Sequence, residues 1–62
     1  MAGVMQLNEQ YKIFCKMFPK MGINAKYWKE AHNGAGIQIH MKDGTDLLFS
    51  YKSPKIWWLR TV

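Results

Sequence analysis

The sequence predicts an α+β fold, with one N-terminal helix packed on one face of a three- to four-stranded antiparallel β-meander. Three observations predict it. Apolar residues recur at the helical period near the N-terminus, the period drops to two after Gly22, and turn residues separate the alternating segments at hairpin spacing. Hydrophobic residues make up 48% of the chain and run from end to end without a linker, repeat or low-complexity tract, so residues 1–62 read as a single compact domain.

The helix comes first. Leu7, Tyr11, Phe14, Cys15 and Phe18 follow i, i+4, i+7, i+8, i+11, which places them on one helical face. Asn8 is the expected N-cap, and Glu9 suits the positive end of the helix dipole. Pro19 disfavours helical geometry at Phe18, so the helix should stop near residue 18. Lys12 and Lys16 fall on the opposite, solvated face, with Lys20 nearby.

Two strands follow at residues 37–41 and 47–51, where Ile37, Ile39 and Met41 alternate with polar residues and Leu47, Phe49 and Tyr51 alternate with Leu48 and Ser50. The loop between them decides which side chains share a face. A two-residue Asp43-Gly44 turn would pair Met41 with Asp46, putting a carboxylate among apolar side chains. A three-residue Lys42-Asp43-Gly44 loop, closed by Gly44 in the left-handed region, pairs Ile37 with Phe49 and Ile39 with Leu47 and sets His40 opposite Asp46. The bulged hairpin is therefore expected.

The aromatic and β-branched run at residues 56–62 predicts another strand, entered through Ser53-Pro54. A loop over residues 52–55 would place Tyr51 opposite Ile56, bring Trp58 beside Phe49 in the core, and turn Trp57 and Leu59 outward. A slip of one residue exchanges the two tryptophans. Residues 24–31 predict a further strand joined through the hairpin turn His32-Asn33-Gly34-Ala35-Gly36, with either Tyr27 or Trp28 facing the core.

Nine Lys plus Arg against four Asp plus Glu give a formal charge of +5. A chain this short buries only about 60% of the surface it exposes when unfolded, which leaves no room for a second domain or a large cofactor pocket. Its one cysteine, Cys15, cannot form an internal disulfide, residues 1–10 do not resemble a secretion signal, and no apolar run is long enough to span a membrane. A soluble, cytoplasmic protein is the expectation. Cys15, His32 and His40 do not stand at metal-ligand spacing, and neither a metal nor a cofactor is expected. Met1, Met5, Met17, Met21 and Met41 read as fillers of a small core.

One helix covers one side of a sheet, so the other side must meet water, a partner or a second copy of the chain. Leu48, Trp57 and Leu59 are expected there as an apolar cluster rimmed by His40 and Lys42, with Trp28 as a possible addition. Lys26, Lys29, Lys52, Lys55 and Arg60 interleave with the aromatic residues and supply positive charge. These residues predict a non-enzymatic binding protein that docks a basic, aromatic sheet face on a protein or nucleoprotein partner. In size and style it suits the inhibitors and regulators that phages and mobile elements direct at host machinery, and a homodimer through the open face is an alternative. Exposed rings that stack on unpaired bases and cations that neutralise phosphates would instead give a single-stranded nucleic-acid or RNA-binding module. A further alternative is a small ribonuclease toxin that uses His40 oriented by Asp46, although Gly36-Ile37-Gln38-Ile39-His40 departs from the Gly-Ser-His-type segment of such toxins.

Overall fold

The computed structural model describes residues 6–62, with His32 described by its backbone alone. Its elements are α1 (Leu7–Met17), a short helical turn α2 (Pro19–Gly22), β1 (Ala25–Ala31), a 3-10 turn (His32–Gly34), β2 (Gly36–Met41), β3 (Asp46–Ser53) and β4 (Ile56–Thr61). The strands form one antiparallel sheet in the order β1-β2-β3-β4. This is the expected α+β meander, with α1 lying against β2 and β3. Met1 and Met5 lie outside the described residues.

The helical stripe acts as anticipated. Phe14 is fully buried among Ile37, Ile39, Met41, Leu47 and Phe49, while Leu7, Tyr11, Cys15, Met17, Phe18 and Met21 pack around that core. Cys15 is partly buried. Two details differ. Gln6, not Asn8, is the N-cap and makes no side-chain capping bond, because the helix starts at Leu7. Past the expected stop near residue 18, residues 19–22 form a further helical turn with Pro19 at its start, where the missing N–H of proline costs nothing.

Gln10 is 1% exposed, and its position in the apolar stripe has a structural reason. The β2–β3 ladder ends at the pair Ile37↔Phe49, so Tyr51 lies past the end of β2. The N–H of Tyr51 donates instead to Gln10 Oε1 at 3.1 Å, which ties the helix to the far end of β3.

The β2–β3 hairpin has the expected register, with Ile37↔Phe49, Ile39↔Leu47 and His40↔Asp46. Gly44 takes φ 93°, the left-handed conformation that closes a three-residue loop. β4 differs from expectation by one residue. β3 runs on to Ser53, which pairs with Ile56 across a two-residue Pro54-Lys55 turn, and an extra residue, Lys52, stands between that pair and Tyr51↔Trp57. A one-residue bulge moves every following side chain of the partner strand to the other face. Trp57 and Leu59 therefore face the helix, and Trp58 shares the open face. Trp57 packs against Phe18 and Phe49, with ring centroids 5.8 and 6.4 Å apart.

In β1, whose facing ring the sequence left open between Tyr27 and Trp28, a second bulge at Lys26 sets the parity. Ala25 pairs with Met41 but Tyr27 pairs with His40, so Trp28 falls opposite Ile39 on the covered side. Its ring stacks on Tyr11 with centroids 5.9 Å apart.

Candidate functional site

The uncovered face of the sheet is built from two cross-strand rows. Tyr27, His40 and Asp46 form one across β1, β2 and β3; Lys29, Gln38, Leu48 and Arg60 form the other across all four strands. Ser50 and Trp58 form a pair beside the second row.

His40 and Asp46 are directly opposed, and His40 Nδ1 lies 2.6 Å from Asp46 Oδ1. Gln38 Nε2 donates to the other carboxylate oxygen, Oδ2, at 2.9 Å. Both oxygens of this acid are thus engaged by neighbours on β2. Tyr27, 52% exposed, stacks on the His40 ring at 4.9 Å with the planes 18° apart. At the opposite edge the Arg60 guanidinium lies 4.5 Å from the centroid of the Trp58 ring, within range of a cation–π contact. The hydroxyl of Ser50 donates to the carbonyl of Ala35 at 2.9 Å, so it secures the entry to β2.

No protein-family model, characterised protein or solved structure gives a significant match to this chain. Its own geometry therefore carries the functional reading.

Of the residues expected at the site, His40, Leu48, Lys29 and Arg60 come together on the open face. Trp57, Leu59 and Trp28 do not. The bulges at Lys52 and Lys26 send them to the helix side, and the anticipated Leu48–Trp57–Leu59 cluster does not form. Trp58 and Tyr27 take their places. Lys26 and Lys52 occupy the bulges themselves and are exposed at the sheet margins, and Lys55 sits in the β3–β4 turn. Lys42 is tethered away from the face, its Nζ donating to the carbonyl of Ile23 at 3.0 Å.

A hydrophobic period of two cannot register a bulge, which is why the alternation alone puts Trp58 in the core. A basic residue beside a run of adjacent aromatic residues is the one signal that could have raised the possibility: Lys26 precedes Tyr27-Trp28, and Lys52 precedes the turn into Trp57-Trp58. Among the described residues, no group of three or more His, Cys, Asp or Glu side chains gathers where it could hold a metal ion, and no helix is long and apolar enough to cross a membrane.

Proposed function

We propose that this chain is a non-enzymatic binding module that takes single-stranded nucleic acid on its open sheet face. The pairing of rings with cations on that face supports this reading. Tyr27 offers an exposed ring, the Arg60 guanidinium over Trp58 offers a second flat surface on which a base can stack, and Lys29 stands in the same row as Arg60 to meet phosphate. The acid on the face, Asp46, is already engaged by His40 and Gln38, which reduces its repulsion of a polyanion. With Trp57 and Leu59 turned toward the helix, the apolar surface of this face is Leu48 with the rings of Tyr27 and Trp58, flat groups that suit stacking on bases.

The test is titration of labelled single-stranded RNA and DNA of mixed sequence at several salt concentrations. If Lys29 and Arg60 contact phosphate, with Lys26 and Lys52 added at the margins, the log–log salt slope should lie between about −1.4 and −2.8 for two to four contacts. Tyr27→Ala should weaken binding by about 1–3 kcal/mol, the range for a lost stacking platform. Lys16→Ala, on the far side of the helix, should leave the affinity unchanged. Equal losses from Tyr27→Ala and Lys16→Ala, or no binding at low salt, would reject the reading.

A second reading rests on the 2.6 Å contact between His40 and Asp46, which can orient an imidazole for proton transfer in RNA cleavage. Incubation of labelled RNA with wild type and His40→Ala separates the two. Binding without His40-dependent cleavage supports the module alone.

A further inference from the structure

The two edges of the sheet are built differently. On β1, the bulge at Lys26 and the charged side chains of Lys29 and Glu30 interrupt the margin, which are the usual means of keeping a free strand from pairing. β4 has none of these between Ile56 and Leu59, and among the described residues no strand lies on its outer side. It also carries exposed apolar surface: Ile56 is 60% exposed, Trp57 39%, and Val62, just past the strand, 71%.

The ladder fixes which backbone groups are open. Val62 N–H donates to the carbonyl of Asp46 across the pair Leu47↔Thr61, so the peptide groups of Trp58, Arg60 and Val62 point toward β3. Those of Trp57, Leu59 and Thr61 point outward by alternation. An added antiparallel strand must bond to these three residues.

We infer that β4 pairs antiparallel with β4 of a second copy of this chain, centred on Leu59. The register follows from the outward groups and the side chains. Centring on Leu59 gives the fullest overlap, with Trp57 and Thr61 bonded to their counterparts in the opposite order and Leu59 facing itself. Ile56 then meets Val62 of the second copy, so the two most exposed apolar side chains of the edge cover each other. Trp58 falls opposite Arg60 of the second copy, the same guanidinium–indole pairing that each chain makes internally. Moving the centre to Arg60 would oppose two like charges, and moving it to Trp58 would set Ile56 against Arg60 and leave Val62 uncovered. The symmetry axis is perpendicular to the sheet, so both helices stay on one side and the open faces join into one continuous surface of eight strands. This pairing holds whatever the open face binds.

An edge contact of this length is at the small end of specific interfaces, below about 1,200 Å², so the dimer should form at micromolar concentrations. Sedimentation of the full chain from about 5 to about 500 micromolar should show the mean mass rising from one chain toward two. Thr61→Pro removes an outward N–H without touching the β3 ladder, and Ile56→Lys sets a charge against Val62. Each should weaken association about tenfold or more while the far-ultraviolet circular dichroism stays that of wild type. In a Cys15→Ser background, mixing the single variants Trp58→Cys and Arg60→Cys under oxidation should give the mixed disulfide dimer, since directly opposed, non-hydrogen-bonded positions have the spacing a disulfide needs. A chain that stays monomeric throughout overturns the proposal and leaves the edge to a foreign strand. A dimer indifferent to both Thr61→Pro and Ile56→Lys, or one that gives no mixed disulfide, overturns the edge or the register.

Discussion

Replacing Gln10 with Leu tests how the helix is coupled to the sheet. The substitution keeps the side chain's approximate volume at a position 1% exposed but removes the oxygen that accepts the Tyr51 N–H at 3.1 Å. Leaving this part-buried donor unpaired costs up to about 1–3 kcal/mol, while the added apolar burial of Leu returns part of it. A net loss of about 1–2 kcal/mol is expected. Small domains have roughly 0.05–0.15 kcal/mol of stability per residue, so this is a substantial fraction of the total. At about 4–8 °C per kcal/mol for a domain of this size, the thermal midpoint should fall by about 4–16 °C. Urea and thermal unfolding followed by circular dichroism measure the loss, and amide hydrogen exchange reports its cause. Tyr51 should be protected in wild type and exchange much faster in Gln10→Leu, whereas amides of the β2–β3 ladder should slow or quicken only in line with global stability. A variant as stable as wild type, or a Tyr51 amide unprotected in both, would refute the proposed coupling.

The glycines of the central hairpin should respond to alanine for different reasons. Gly44→Ala meets no atom within 4 Å but must hold φ 93°, so its cost is conformational, about 1–2 kcal/mol. Gly36→Ala places a Cβ 2.7 Å from the carbonyl oxygen of Phe49, so urea unfolding should show a loss of about 1–3 kcal/mol through displacement of the β2–β3 ladder. Asp43 accepts hydrogen bonds from the hydroxyl and then the N–H of Thr45, which hold its carboxyl below the ordinary 3.8. Its folded pKa is depressed, so its contribution is present above that ordinary value and is lost as pH falls through the folded one. Asp43→Asn should flatten this part of the acid-unfolding profile, followed by circular dichroism, and leave the pH dependence of stability near neutral pH unchanged. Phe49→Leu, at a fully buried ring in edge contact with Phe14 at 5.5 Å, should cost about 1–3 kcal/mol by urea unfolding.

The legible parts of this fold are those in which each position carries one clear preference. The helix stripe from Leu7 to Phe18 could bury only one face, and Pro19 marked its end. In the β2–β3 hairpin, apolar and polar residues alternate so cleanly that only the bulged loop keeps Asp46 out of the core, and this alone sets His40 opposite Asp46. Gln10 was harder to read. A lone polar residue in an apolar stripe announces a buried partner without naming it, and Tyr51 is 41 residues away.

The sequence by itself determined the order of the main helix and the strands, the central hairpin register, and the expectation of an uncovered, positively charged sheet face. Tertiary structure decided which rings that face presents. Tyr27-Trp28 and Trp57-Trp58 are pairs of adjacent aromatic residues, so either parity of the strand sets one ring on the helix side and the other on the open face, and the hydrophobic period contains no preference. The bulges at Lys26 and Lys52 break that tie. They set Trp28 against Tyr11 and Trp57 against Phe18 and Phe49, and they leave Tyr27 and Trp58 on the face where His40 and Arg60 stand.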